Sequence, residues 1–303
     1  MTAAVQAEAT GRKPLAAARY HLALTAGLSL AGTRSPADGP TSGELLLEAS
    51  FARAMQPALA EMYRRPIEAN LMALAEQDRD EVARSVLAFY RDRPDTLEAA
   101  RAALARYGRQ GFEIGGQMGL DELGLPGLFE LSDAHIEEVL EGHVGRLVSA
   151  QRQARLSVAV TTAEEIGRAV DRQREAGLSA ADMLPVLSAW ILGRTVIRSA
   201  RIAATETVRM TRWGMAWAFA GNGIRGVRHE CAADVERRCN GQCPPLCGTE
   251  YELGGVLYPM RGIPSAEQIP LHPGCRCWYS ALTDGWVKPA LIWTGFALGL
   301  LND

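Results

Sequence analysis

Apolar residues recur at helical spacing along most of the chain, and that spacing is lost near residue 221. Thr41-Ser-Gly-Glu44 has the spacing of a capping box, and Leu45, Leu46, Phe51, Met55, Leu59 and Met62 follow it, so a helix should open there. Pro57 and Pro66 should break or kink it. Two more helices are expected between Asp78 and Tyr107, divided near Arg93-Pro94-Asp95, with Asp95 or Thr96 capping the second and Gly108 ending it. Gly111 to Leu123 reads as a separate helix weakened by glycines. A long helical run should begin at Ser132-Asp133 and continue to about Val158. Thr161-Thr-Ala-Glu164 is a second capping box, with Gly177 as the stop. Ser179-Ala-Ala-Asp182 starts a helix through Trp190 toward Thr195, and Ile197 to Phe219 continues apolar.

From Gly221-Asn-Gly-Ile-Arg-Gly226 onward glycine and proline become frequent. Short strands are expected at Gly226–His229, Gly255–Tyr258 and Cys277–Leu282. The pattern divides the chain into a flexible arm (1–40), a helical body (41–220), a cysteine-rich α+β module (221–282) and an apolar tail (283–303). The expected fold class is mainly α: a helical body with a small C-terminal α+β module stabilised by zinc.

Composition changes this picture little. With 303 residues the chain can bury a substantial core. Its net charge of −3 argues against a general nucleic-acid coat. Leu15 to Gly32 follows Arg12-Lys13 like a secretory segment, but Arg19 and His21 interrupt it, so an amphipathic helix or mobile arm is expected. The apolar stretch from Pro289 to Leu301 falls short of the ~20 residues that span a bilayer, so it should dock on this chain or a partner, with no membrane involved. The whole reads as soluble and made in a reducing cytoplasm, where clustered cysteines favour metal over disulfides.

All six cysteines lie between Cys231 and Cys277. The order is Cys231, then Cys239, Cys243 and Cys247 at four-residue intervals, then His272, Cys275 and Cys277. A structural zinc site takes four Cys or His ligands, usually from two segments. Cys239, Cys243 and Cys247 offer one arm; His272 and Cys275 offer the other, with Cys277 in reserve. If that segment is extended, Cys275 and Cys277 point the same way. Three disulfides are the alternative, since the number is even. Glu230, Asp234, Glu236 and Glu250 are near in sequence, but nothing marks one as a catalytic base.

Elsewhere the signals are weaker. Thr205 and Glu206 either fix the last long helix against the cysteine module or form a capping or surface pair. Arg194, Arg198, Arg201 and Arg209 could share a helix face and touch DNA phosphates, although salt bridges to nearby acids explain them more simply. His135 and His143, two turns apart without a carboxylate pattern, read as surface or core histidines. Met210, Trp213 and Trp217 read as core or partner-facing surface. No P-loop, dinucleotide glycine motif, HExxH or Gly-x-Ser-x-Gly occurs, so the common enzyme classes lose support.

Arg201-Ile-Ala-Ala-Thr-Glu-Thr-Val-Arg209, then Gly214, then a cysteine pair, then His272-Pro-Gly-Cys-Arg-Cys277 resembles the phage Mu F-like minor head proteins, also called phage head morphogenesis proteins. The resemblance covers roughly residues 105–282. The chain departs from the family's pattern where Arg212 stands for its Asn and where three spaced cysteines replace its Cys-x-x-Cys. The resemblance implies a minor capsid protein of a tailed phage or phage-like particle, assembled in the bacterial cytoplasm and carried inside the capsid. It would bind the portal protein, with the major capsid or scaffold protein and packaged double-stranded DNA as further partners, and assist assembly, packaging or delivery. It carries no catalytic residues. The implied metal set, for Zn2+ in a structural role, is led by Cys239, Cys243, His272 and Cys275, with Cys247 the first substitute. The alternative is a metal-dependent nuclease or toxin-like effector on the same scaffold.

Overall fold

The computed structural model describes residues 41–130, 133–154, 157–232, 241–265, 267–271 and 275–286. The arm 1–40 and the apolar tail from 287 lie outside the described residues. Among the described residues six helices precede a small sheet: α1 (Ser42–Glu76), α2 (Arg79–Asp92), α3 (Asp95–Glu122), α4 (Asp133–Leu147), α5 (Val158–Glu175) and α6 (Ala180–Gly221). The strands are β1 (Gly226–Glu230), β2 (Glu250–Glu252) and β3 (Trp278–Ala281). β1 is central and antiparallel to both neighbours, with Val227 opposite Tyr251 on one side and His229 opposite Tyr279 on the other. The expected mainly helical fold with a small C-terminal sheet is what the chain adopts.

Caps set most helix starts. The Thr41 hydroxyl accepts from the Glu44 amide (3.2 Å), and the Glu44 carboxylate accepts from the Thr41 amide (2.9 Å). Asp78 with Glu81 does the same for α2. Here the structure corrects one expectation: α4 stops at Leu147, and α5 starts at Val158, three residues before the Thr161 of the second Thr-x-x-Glu box. Ser157 decides this. Its hydroxyl accepts from the Ala159 amide (3.0 Å) and donates to the Ser149 carbonyl (2.6 Å), which fixes the incoming loop as well as the cap.

Neither proline ends α1, which runs through Pro57 and Pro66 and kinks at its one non-helical residue, Asn70, one turn past Pro66. Pro66 cannot donate to the Met62 carbonyl, and the buried Tyr90 hydroxyl donates to that carbonyl instead (2.7 Å). Nor does Gly108 end α3, which absorbs the segment expected as a separate helix. Its glycines bring α3 against α6 at backbone distance. A Cβ on Gly115 would lie 1.8 Å from the Thr211 carbonyl oxygen, and one on Gly214 would lie 2.0 Å from that of Phe112. The segments expected at Ser179–Thr195 and Ile197–Phe219 are likewise one helix, α6.

α6 passes through two hydrophobic cores. Its first half packs with α1, α2 and α5 around Phe51, Met62, Tyr63, Ile166 and Leu187. Its second half packs with the end of α3, with α4 and with the sheet around Phe112, Met215, Phe219, Val227 and Tyr279. The strand expected at Gly255–Tyr258 is absent; β2 forms earlier, and the chain turns where the Gly254 amide donates to the Pro259 carbonyl (2.8 Å).

Candidate metal centre

The cysteine module is tied down from several sides. The fully buried Arg212 of α6 donates through Nε to the Cys277 carbonyl (3.1 Å) and pairs through Nη1 with Glu44 of α1 (3.2 Å). Arg276 forms a two-point pair with Glu48, one contact at 2.9 Å. The Glu122 carboxylate of α3 accepts from the Ala281 amide (2.9 Å), and Tyr258 donates to Glu138 of α4 (2.7 Å). Burial alone would raise the Glu44 carboxyl, but Arg212, the Thr41 amide and Thr211 outweigh it and hold it below the usual carboxylate range.

These anchors position a compact group of sulfurs. The Sγ atoms of Cys243, Cys275 and Cys277, all buried, lie within 4.8 Å of one another. Cys243 and Cys275 are 3.8 Å apart. A second group shares Cys277: a ring nitrogen of His229 and the Cys231 and Cys277 sulfurs also lie within 4.8 Å of one another. These Cys/His groups could hold a metal ion. The Cys277 thiol donates to Cys275, and this hydrogen bond, against the opposing effect of burial, pulls Cys275 down to about 5 while Cys277 is pushed up. A thiolate at Cys275 is the form that ligates metal.

The sequence reading is corrected at Cys247. Its sulfur is bonded to that of Cys231, with the Cα atoms 5.5 Å apart, so it is a disulfide partner and not a ready ligand. The physical reason is local: the tight turn over Pro244–Leu246 carries Cys247 back beside Cys243, and the sulfurs of both Cys231 and Cys247 rest 3.6 Å from the Cys243 carbonyl. The expectation of metal in place of disulfides therefore divides between the two sets of cysteines. Cys239 and His272 lie outside the described residues. Cys275 and Cys277 do converge, as an extended segment implies.

His229 was not singled out from sequence. The signal was present, because His229-x-Cys231 in a strand puts both side chains on one face. The ring is wholly buried, edge-on to Tyr279, and burial lowers its pKa to about 4.

The other singled-out residues resolve as packing. Glu206 is buried, bonded to His143 (2.7 Å) and paired with Arg209, so His143 has the carboxylate partner that the spacing did not reveal. Thr205 donates to the Arg201 carbonyl in its own helix (2.8 Å). Arg198 cannot face DNA, because its guanidinium is buried against the Tyr63 hydroxyl (2.7 Å), the Thr162 hydroxyl (2.6 Å) and the Val158 carbonyl (2.9 Å). Arg194 pairs with Glu165 (3.0 Å). Beside them runs a groove of about 860 Å³, walled by Arg146, Ile197, Arg201, Trp213 and Leu271.

No protein-family model matches the chain, and neither a curated protein nor a solved structure matches it. The geometry by itself defines a helical protein whose cysteine-rich sheet shares a core with α3, α4 and α6.

Proposed function

We propose that the chain is a minor structural protein of a tailed-phage or phage-like particle, seated at the portal inside the head, and that its thiol cluster holds one structural zinc ion. The observation that carries this reading is the joint between the two halves of the sequence signature. Arg212, three residues past the Arg201–Arg209 segment and at the position where the chain departs from the family's Asn, reaches the carbonyl of Cys277, which closes the His-Pro-Gly-Cys-Arg-Cys segment. A contact that packs the two segments against each other suits a structural role.

The donor chemistry fits zinc. Tetrahedral zinc–thiolate bonds of about 2.3 Å put neighbouring sulfurs about 3.8 Å apart, which is the Cys243–Cys275 separation of 3.8 Å. Soft thiolates favour zinc over calcium or magnesium. Bound there, zinc would supply folding free energy to a module with little core of its own.

Exposed apolar side chains support a partner surface. On the first half of α6, Leu192 is 69% exposed and Ile197 56%, with Leu184 and Val196 also exposed, and large apolar residues left open to solvent suit an interaction site. The test is particle composition. The chain should co-purify with the portal protein and with particles, and Leu192→Glu with Ile197→Glu should reduce both while leaving the far-ultraviolet circular dichroism unchanged. Absence from particles together with no portal association would sink the reading.

A further inference from the structure

We infer that His229 is the fourth metal ligand, completing a three-cysteine, one-histidine site with Cys243, Cys275 and Cys277 beside the Cys231–Cys247 disulfide. This deepens the reading of the thiol cluster as a metal site and rests on it.

The first observation is an orphaned side chain. Both ring nitrogens of His229 are buried and neither has a hydrogen-bond partner, although the residue is 0% exposed. Buried polar atoms are almost always satisfied, and an unsatisfied imidazole at the centre of a core is costly. Nearby carboxylates at Glu230 and Glu267 act on the ring only through space. The Cys231 and Cys277 sulfurs lie within 4.8 Å of a ring nitrogen.

The second observation is placement. His229 sits on the central strand, held by its own backbone: its amide donates to the Thr249 carbonyl (2.8 Å), and its carbonyl accepts from the Gly248 amide (2.8 Å). From there a ring nitrogen comes within 4.8 Å of Cys277 Sγ, the sulfur that also belongs to the Cys243–Cys275 group. Cys231 Sγ also lies within 4.8 Å but is committed to Cys247, and a disulfide sulfur is not a thiolate donor. Among the described residues the three thiols are one donor short of a closed tetrahedral site, and His229 is the described histidine whose ring reaches Cys277, the sulfur common to both groups. A Cys3His set of this kind is a common structural zinc site.

The competing donor is His272, three residues before Cys275 and outside the described residues. The full-length chain, purified without chelator, would be examined by X-ray absorption at the zinc edge and by competition against a chromophoric chelator. Wild type should hold one zinc with three sulfurs at about 2.3 Å and one nitrogen at about 2.0 Å. His229→Gln should lose affinity by more than about 100-fold, since removing only a hydrogen-bonding partner of a ligand already costs about 10–100-fold. His229→Cys should keep the zinc with four sulfurs, which guards against a Gln variant that simply misfolds. His272→Gln should leave the nitrogen in place. A nitrogen that vanishes in His272→Gln and persists in His229→Cys, or four sulfurs in wild type, overturns the assignment of His229 and leaves the zinc reading standing. No bound metal in wild type overturns both.

Discussion

Single side chains carry much of this structure's polar interior. Glu206 is buried, and burial would raise its carboxyl, but Arg209 and His143 outweigh that and hold it at about 2. A depressed carboxyl stabilises the fold fully above the unfolded value near ~4.3, and the contribution is lost as pH falls toward the folded value. Glu206→Gln should therefore cost about 3–5 kcal/mol at neutral pH, as for a buried pair with one partner removed. The gap to wild type should close between about pH 5 and pH 2 in urea titrations. Tyr90 poses a simpler test. Tyr90→Phe leaves the carbonyl of Met62 without a donor, because Pro66 has none to give, and should cost about 1–3 kcal/mol in the same titration. None of these partnerships could be read from spacing. His143 and Glu206 are 63 residues apart, and nothing local to either announces the other. Arg212 stood out in the sequence only as a departure from the Asn of the resembled family, and the fold gives it two buried partners.

At the scale of elements, apolar periodicity placed the helices and misplaced their ends. The capping box at Thr41, the helix start at Ser179 and the division at Arg93-Pro94 correspond to real boundaries. Ser157 was missed because a single serine before an apolar run is a weaker mark than the Thr-x-x-Glu pattern that follows it. Glycines in α3 were read as weakness because intrinsic propensity counts only the helix itself. Their role is tertiary: they let α6 approach until backbone meets backbone. Gly214→Ala puts a methyl 2.0 Å from the Phe112 carbonyl oxygen, so α3 and α6 must separate. Overpacking of this type costs about 1–3 kcal/mol or more. The thermal midpoint of Gly214→Ala should fall, while Gly193→Ala, open to solvent on the same helix, should raise it or leave it unchanged. Equal losses in both would show that the close approach has no energetic weight.

Over the whole molecule, a mainly helical fold with a small C-terminal sheet was legible because both periodicity and composition change near Gly221. The pairing of the cysteines was not, since spacing does not report which sulfurs a tight turn brings together. The module also has no separate interior: its Val227, Tyr251, Ile269 and Tyr279 complete a core begun by Phe112 and Phe219. On the zinc reading proposed above, removing the metal should accordingly be felt beyond the sheet. With a strong chelator present, amide hydrogen exchange should speed up in β1 and β3 and in the second half of α6, and the first half of α6, in the other core, should change least. Faster exchange confined to the strands would mean the two regions unfold separately.

The order of the strands has a consequence for synthesis. β1 is the middle strand, yet it is made first, and β3 follows only after residue 278. A ribosome that has translated β1 and β2 has produced a two-stranded ribbon in which the edge of β1 that β3 will cover is still open. Such an edge templates pairing with other nascent chains. The final strand closes it, so on a polysome the interval between β2 and β3 is when chains emerging side by side are most exposed to joining one another.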